Sequence, residues 1–415
     1  MSTKPKRRRW PWLVVVALVV TSLAIGGILW FGDAPPPTIP IPRLSEKRAK
    51  STLDRRGLGS KEVSKLFDEW IGDGQKPTEW LRDWARKTKV HPRSVSLFDI
   101  PRIDRERYAR DGEPLLRHIA SIEEHCSGVF PSIGQCGDVV LLHLISGEER
   151  RRVGDLEGFR SHLLQLLALY RAAPDHCEDL GDLAQAPFLL QPAQTYVQSV
   201  ARLLNREEVH ALLELWGPFI VRQADIRRLR KPEYEDLART VGGWTEGGAS
   251  IEECLGEIDL VVEVPTWKES LLFKPNATLR DLEKLIGSVG ESFPNEFSRL
   301  DWKQPTVGQW TWNGAGKAFV HHVELSMSFP IDWLTLEHER WFQNRLLLLI
   351  RQFELKYERL PRALSELNDP FVSFDNYRYD VERRTVTAVR MLEYAKQQTS
   401  ESAGAFFEAL SEVEF

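Results

Sequence analysis

The sequence predicts a mainly α-helical protein that carries a single transmembrane helix at its amino terminus. Three observations lead to this prediction: an uncharged apolar run long enough to cross a bilayer, apolar residues at helical spacing through most of the remaining chain, and strand-like alternation in a few short segments. The 415 residues include 42% hydrophobic and 28% charged side chains, an ordinary balance for a globular protein. Collagen-like, disordered and disulfide-dense proteins are therefore excluded.

The uncharged run at residues 10–31 contains 22 residues and is predicted to span a membrane. As a helix it would be about 33 Å long at about 1.5 Å per residue, which matches the hydrocarbon thickness of a bilayer. Five cations lie in the basic tail at residues 1–9, whereas Asp33 follows the run, so the positive-inside rule places the amino terminus in the cytoplasm. We expect a single-pass protein of the inner (cytoplasmic) membrane whose bulk is extracytoplasmic, in the periplasm.

A cleavable signal peptide is the alternative interpretation of this amino terminus, because it also combines a basic start with an apolar run. The apolar region of a signal peptide usually has about 7 to 15 residues and ends at small residues. Here the run continues past Gly26 and Gly27 to Phe31, which favours a retained signal anchor. The proline-rich residues 32–44 then predict an extended stalk between the membrane and the next domain.

Residues 45–270 are predicted to form a helical extracytoplasmic region. Apolar side chains recur at helical spacing in five segments, at residues 60–72, 80–84, 160–170, 196–204 and 207–220. Apolar runs at residues 139–145 and 259–264 predict two short strands. Since no repeat of fixed period is present, a compact or irregular helical array is preferred, and a helical-repeat solenoid stays open as the alternative.

Residues 271–415 are predicted to form a carboxy-terminal helical unit. It contains a helix at residues 277–286 and the longest predicted helix, at residues 331–357. Two alternating stretches predict a small β-hairpin at residues 377–389. Because consecutive elements usually pack together, we expect the hairpin to lie on the long helix and to bury its second half, including Phe353.

Charge and incomplete motifs limit the ligands that the sequence indicates. Five of the 55 basic residues lie in residues 1–9, which leaves 50 against 60 acidic residues, a net charge of −10, and argues against nucleic acid as a partner. Residues 311–317 end in Gly316-Lys317 but lack the first glycine and the final Ser or Thr of a phosphate-binding loop. Ser250 lacks the last glycine of a nucleophile elbow. We expect no cofactor.

Cys126 and Cys136 are the candidate disulfide. The loop between them contains glycine and proline residues that permit a bend, and an oxidising compartment would favour their pairing. Cys177 and Cys254 then form either a long-range bridge or two buried thiols, and the sequence leaves this choice open.

The candidate metal ligands are histidines close to carboxylates or cysteines in the sequence, in three groups: His118, Glu123, Glu124, His125, Cys126, Cys136 and His143; His321, His322 and Glu324; and His338 with Glu339. His118 and His125 would lie two turns apart on one helix face, whereas His322 and Glu324 would share a face only in a strand. In the third group a zinc-protease motif would need a second histidine where Phe342 stands. A structural role is favoured for each group, and no bound metal is expected.

Short motifs in residues 271–390 carry two resemblances. The motifs are Leu272-Phe-Lys-Pro-Asn-Ala-Thr278, Asn313-Gly-Ala-Gly-Lys317, Arg345-Leu-Leu-Leu-Leu349, Leu355-Lys-Tyr-Glu-Arg-Leu-Pro361, Asp369-Pro-Phe371 and Tyr377-Arg-Tyr379. On these residues the segment resembles the carboxy-terminal part of membrane-anchored proteins of unknown function from planctomycete-type bacteria. Its last stretch is also similar to the soluble tail of type II secretion pseudopilins, although a pseudopilin's membrane helix runs directly into its tail helix. Neither resemblance implies a catalytic residue.

Two hypotheses about function follow from the sequence. The first is a non-enzymatic scaffold or interaction protein of the cell envelope, which contacts the lipid bilayer through residues 10–31 and binds an envelope protein. The alternative is an envelope hydrolase, in which acidic and histidine side chains from distant segments would converge on a metal or carboxylate site. A cleft that gathers such groups would distinguish the two hypotheses.

Overall fold

The architecture comes from a computed structural model of the chain. The structure describes residues 21, 77–88, 97–125, 133–177, 179–185, 191–219, 221–246, 273–295, 297, 313–397, 404–405, 408 and 410–415. Apart from Thr21, the predicted membrane helix at residues 10–31 lies outside these ranges, as do the stalk and the predicted elements at residues 60–72 and 259–264. Within the described ranges, no helix is both long enough and apolar enough to cross a membrane.

The described residues are mainly helical, which confirms the predicted fold class to that extent. The α-helices, numbered in chain order, are α1 (Pro77–Thr88), α2 (Arg102–His125), α3 (Ile133–Arg152), α4 (Leu156–His176), α5 (Leu180–Gln185), α6 (Gln191–Val200), α7 (Arg206–Leu215), α8 (Gln223–Glu246), α9 (Pro275–Ser288), α10 (Gly314–Tyr357) and α11 (Val389–Gln397). Short 3-10 helices lie at Leu97–Asp99, Ala201–Leu203, Leu364–Glu366 and Phe374–Asn376. The periodic segments predicted around residues 80, 165, 200, 212 and 282 all lie in helices.

A small antiparallel sheet lies near the carboxy terminus. Its strands β1 (Tyr377–Asp380), β2 (Thr385–Ala388) and β3 (Glu412–Glu414) are ordered β1-β2-β3. The predicted hairpin at residues 377–389 is confirmed, because β1 and β2 pair through it. The third strand was not predicted, since three alternating residues are too few to show a strand period.

The predicted strand at residues 139–145 is wrong, because these residues lie inside α3. Their side chains are buried on every side of the helix, and α3 packs against α1, α2, α4 and α6. A helix with partners all round has no polar face and therefore no helical period in its hydrophobicity. A short continuous apolar run looks the same in a buried helix and in a buried strand.

The longest helix is α10, which has 44 residues and begins at Gly314 rather than at residue 331. The difference arises at Pro330, which lies inside the helix. A proline removes one helical hydrogen bond and disfavours the helical conformation of the residue before it, so it usually indicates a boundary. Leu346 to Ile350 are buried and Phe353 is 9% exposed, but the helix becomes exposed toward its end, where Tyr357 is 51% exposed. The prediction that the second half of the 331–357 helix is the more buried half is therefore wrong, because the residues from 339 to 350 are the most enclosed.

The chain divides into two compact units. The first contains the described residues of 230–289 and 313–327, and its core includes Trp244, whose ring packs edge-on against Phe319 at 4.7 Å. The second contains the described residues of 77–229, 290–297 and 328–415. In this second unit Trp216 stacks on Trp341 at 4.4 Å, and each indole N–H donates a hydrogen bond to a backbone carbonyl of the other segment.

Candidate functional site

The two faces of the sheet in the second unit differ in chemistry. Residues paired across strands project to the same side, so the outer face carries two polar rows, Arg378–Thr387–Glu412 and Asp380–Thr385–Glu414. The inner face carries Tyr377, Tyr379, Val386, Ala388 and Val413. Most of the inner side chains are buried, whereas most of the outer ones are exposed.

Side-chain hydrogen bonds hold the inner face on α10. Gln343 Nε2 donates to the carbonyl oxygens of Val386, at 2.9 Å, and Ser411, at 2.8 Å, so one side chain ties down β2 and the approach to β3. The Tyr377 hydroxyl donates to the Glu339 carbonyl oxygen at 3.3 Å. Burial raises the pKa of Tyr377 well above its usual range, which keeps the hydroxyl protonated as a donor. The sheet is therefore fixed to the helix at several backbone positions.

Glu339 and Arg390 form a buried ion pair beneath the sheet. Glu339 is 1% exposed, and Arg390 also donates to the carbonyl oxygens of Pro294, at 2.7 Å, and Asn295, at 2.9 Å. The carboxylate charge is thus compensated in place, as a buried charge requires. This pairing connects α10, the start of α11 and the turn around residue 294.

His338, the residue before Glu339, lies among aromatic rings rather than among metal ligands. Its ring packs edge-on against Phe342, Phe219 and Phe293, with centroid distances of 4.7, 5.3 and 6.1 Å. The His338 Nδ1 atom lies 3.9 Å from Glu339 Oε1, which is too long for a hydrogen bond. The pair that opened a zinc-protease pattern in the sequence is part of the packed core.

Arg345 makes another buried ion pair of α10, with Asp369 from the loop after the helix. The Arg345 Nε atom lies 3.0 Å from both carboxylate oxygens, and the side chains of Arg345 and Asp369 are 7% and 3% exposed. Arg345 Nη1 also donates to the carbonyl oxygens of Leu213, at 3.0 Å, and Trp216. One guanidinium therefore joins α7, α10 and the loop.

The outer face of the sheet forms the floor of a groove of about 1290 Å³. We name it the acidic groove, because among the described residues its lining carries five carboxylates against two guanidiniums: Asp380, Glu382, Glu408, Glu412 and Glu414 against Arg378 and Arg383. Thr385 on its floor is 6% exposed, and Val381 and Leu392 supply apolar surface. The acidic groove is wide enough for a peptide segment, and its charge favours a basic one.

The predicted disulfide falls partly outside the described residues. Cys136 lies in the first turn of α3, but Cys126 is not described, so their pairing stays a prediction. Cys177 follows α4 and is half-buried, and Cys254 lies outside the described ranges. The choice left open for these two cysteines therefore also stays open.

The predicted metal ligands that the structure describes lie on helices. His118 and His125 are in α2, as the helical interpretation requires, and His321, His322 and Glu324 are in α10, so the strand alternative for this group is wrong. His321, rather than His322, is the partner of Glu324, with 3.3 Å between Nδ1 and Oε2. In the part of the chain that the structure describes, no three His, Cys, Asp or Glu side chains are grouped closely enough to hold a metal ion.

Sequence reasoning missed the partner of His143. Its Nδ1 atom on α3 lies 3.2 Å from Nδ1 of His162 on α4. Burial, with a smaller contribution from His162, lowers the pKa of His143 to about 3, so the pair is neutral and shares one hydrogen bond. The available signal was the short turn at Gly154, which brings α3 and α4 back against each other as a helical hairpin.

Sequence reasoning also missed a buried carboxylate, Glu148, on α3. It accepts hydrogen bonds from Arg151 at 2.8 and 3.0 Å, from Arg152 at 3.1 Å and from the Tyr196 hydroxyl at 2.8 Å. Burial by itself would raise the pKa of Glu148, but the hydrogen bonds from these donors hold the pKa below its usual range. The spacing of three and four residues from Glu148 to the two arginines was the readable signal.

The segment that approached a phosphate-binding loop begins α10 in the first unit. Asn313 Oδ1 accepts hydrogen bonds from the Lys274 backbone N–H, at 2.8 Å, and from the Thr278 hydroxyl, at 3.2 Å. A Cβ atom on Gly316 would lie 2.0 Å from Thr278 Oγ1, so this glycine permits close packing with α9. Two of the motifs that carry the resemblance thus contact each other.

No protein-family model, no curated protein and no solved structure matches this chain.

Proposed function

We propose that the protein is a non-enzymatic interaction protein, anchored in the cell envelope by residues 10–31, that binds a basic segment of an envelope protein in the acidic groove. The membrane anchor and its orientation rest on the apolar run and on the charges before it. The resemblance of residues 271–390 to membrane-anchored proteins of planctomycete-type bacteria supports the same proposal.

The observation that carries the proposal is the acidic groove on a sheet whose other face is fixed. Gln343, Tyr377 and the Glu339–Arg390 pair hold the floor of the groove on α10. A surface that is held in place before binding loses little conformational entropy when a partner docks. The excess of carboxylates in its lining favours a partner segment rich in Lys or Arg.

The test is site-specific crosslinking in the full-length, membrane-bound chain. A photoreactive amino acid at Thr387, on the floor of the groove, is expected to give one defined protein adduct. The same amino acid at Leu164, which is 54% exposed on α4, serves as the control position. The adduct from Thr387 should be absent from the control.

Charge reversal then tests the chemistry of the partner. The double variant Glu382→Lys/Glu412→Lys should abolish the adduct, because it turns an attractive lining into a repulsive one. Glu157→Lys, an exposed position at the start of α4, should leave the adduct unchanged. An adduct that survives the double variant, or that forms equally from Leu164, contradicts the proposal.

Topology is tested separately. A reporter enzyme that is active only outside the cytoplasm, fused after Phe415, is expected to be active, and a chain that begins at Ser45 should remain soluble. Activity of a cytoplasm-specific reporter at the same position would contradict the proposed orientation.

A further inference from the structure

A second, smaller cavity of about 220 Å³ lies in the second unit, and we name it the arginine cleft. Its apolar lining consists of Ala201, Leu347, Ile350 and Phe415, and its charged lining consists of Arg202, Arg351, Glu354 and Arg384. Three guanidiniums therefore face one carboxylate in the lining. The acidic groove shares no lining residue with it.

Two of the three guanidiniums are held in place around Glu354. Arg351 Nε donates to the Leu204 carbonyl oxygen at 3.1 Å, and Arg351 Nη1 donates to Glu354 Oε2 at 2.7 Å. Arg384 Nη2 lies 3.6 Å from Glu354 Oε1. Because the single carboxylate is shared between two arginines, the positive charge of the cleft is only partly compensated.

The backbone of Arg384 directs its side chain to the cleft. Arg384 is the last residue of the turn between β1 and β2 and has φ of +56°, a left-handed conformation that favours glycine or asparagine. Its guanidinium lies 6.0 Å from the centre of the Phe415 ring, and the Phe415 backbone N–H donates to the Arg384 carbonyl oxygen at 2.8 Å. An arginine at a position suited to glycine is a strained choice that a binding role would explain.

Arg202 is the guanidinium that is free to turn toward a ligand. It pairs with Glu414 at 3.4 Å, but the two side chains are 51% and 76% exposed. Such an exposed ion pair contributes little and exchanges readily for a better partner. A single contact, from Arg202 Nη2 to Glu414 Oε2, joins this pair, whereas a ligand carboxylate in the cleft can accept two parallel hydrogen bonds from the planar guanidinium fork.

We infer that the arginine cleft binds a small organic acid, with its carboxylate between Arg202 and Arg384 and a short apolar group against Leu347, Ile350 and Phe415. The volume of about 220 Å³ leaves room for a short-chain carboxylate between these groups. The two sites share no lining residue, although Glu414, the present partner of Arg202, lines the acidic groove.

Titration calorimetry on the full-length chain in detergent tests the inference with hexanoate as the probe. We expect saturable binding of hexanoate and at least tenfold weaker binding of hexanamide, which has the same apolar tail without the charge. Acetate should also bind at least tenfold more weakly, because it lacks the apolar tail. Hexanamide or acetate binding as tightly as hexanoate overturns the inference, as does tighter binding of inorganic phosphate.

The decisive variants are Arg384→Gly and Arg202→Gln. Glycine suits the backbone of residue 384, so Arg384→Gly removes the guanidinium while it preserves the turn. Each variant should weaken hexanoate binding at least tenfold, with an unchanged unfolding midpoint. Arg383→Gln, one residue earlier in the same turn but in the lining of the acidic groove, is the matched control and should bind as the unaltered chain does. Equal affinity in all three variants overturns the inference.

Discussion

The buried ion pairs of Glu148 on α3 and of Glu339 and Arg345 on α10 differ in how far along the chain the partners lie. Glu148 on α3 binds Arg151 and Arg152, three and four residues away. Glu339 and Arg345 on α10 bind Arg390 and Asp369, which are 51 and 24 residues away. The first network is built mostly by one helix, whereas the second forms only when α10 meets the loop and sheet that follow it.

The two carboxylates, Glu148 and Glu339, also differ in how completely their oxygens are paired. Both carboxylate oxygens of Glu148 accept hydrogen bonds. In the α10 region, Glu339 Oε2 and both side-chain amide atoms of Asn344 are buried without a partner. Adjacent turns of one helix hold their groups at fixed spacing, but elements that meet from distant parts of the chain satisfy some groups and leave others unpaired.

The largest expected effect lies in the long-range region. Asp369→Ala leaves Arg345 buried without its ion pair, so the free energy of unfolding should fall by about 3 to 5 kcal/mol in denaturant titration. Asp369→Asn, which keeps an acceptor for the backbone N–H groups of Phe371 and Val372, separates the loss of charge from the loss of the turn.

The control for this prediction is an exposed pair. Glu214→Ala removes the partner of Arg160, in a pair whose side chains are 49% and 46% exposed, and should change stability little. A loss for Asp369→Ala no larger than that for Glu214→Ala would show that the long-range pair does not hold α10 and the loop together.

The stability of the folded chain should depend on pH through His143, whose side chain lies between α3 and α4. Its pKa is lowered to about 3 in the folded chain from about 6.5, so below pH 6.5 the unfolded chain binds the proton first. Stability should therefore fall as the pH falls from 6.5 toward 3, by about 2 kcal/mol between pH 6.5 and 5. Chemical unfolding of the unaltered chain and of His143→Gln across this range measures the effect as a difference. Parallel pH profiles for the two proteins would contradict the neutral, buried pair.

Matched substitutions compare the two carboxylates directly. Glu148→Gln removes the charge from a fully paired network and should cost about 1.5 to 3 kcal/mol, since hydrogen bonds to charged groups are the stronger ones. Glu339→Gln should cost about 1 kcal/mol less, because one oxygen of Glu339 has no partner and Arg390 keeps two backbone acceptors. Unfolding free energies in the reverse order would mean that the long-range network is the better paired.

The smallest expected effects concern two glycines of the first unit, Gly243 with open space around it and Gly316 packed closely against α9. Ala is a better helix former than Gly, so Gly243→Ala in α8, where an added Cβ meets nothing within 4 Å, should stabilise by about 0.5 to 1 kcal/mol. Gly316→Ala should instead destabilise by about 1 kcal/mol, because its Cβ would clash with Thr278 and Asn313. Thermal unfolding measures both, and stabilisation by Gly316→Ala would show that the contact with α9 yields easily.

The sequence by itself determined the elements that have one apolar face. The sequence predicted α4, α7, α9 and the hairpin of β1 and β2. Each of these elements buries one side and exposes the other, so apolar residues recur along it at the helix or strand spacing. The Glu148 network could also have been found this way, since three and four residues separate its members. Of the acidic groove, the sequence contained the hairpin but not the wall that the segment around Glu408 adds.

Only the tertiary structure decided what depends on a partner far along the chain. Residues 139–145 lie in α3, which packs against four other helices. Because this segment is buried on all sides, its hydrophobicity has no helical period by which the sequence could identify it as a helix. The pairing of Arg345 with Asp369, the course of α10 through Pro330 and the strand β3 each depend on packing that no local spacing encodes. The lining of the acidic groove lies between Arg378 and Glu414, whereas the arginine cleft also needs Ala201, Arg202 and the last turns of α10, which reach it only through that packing.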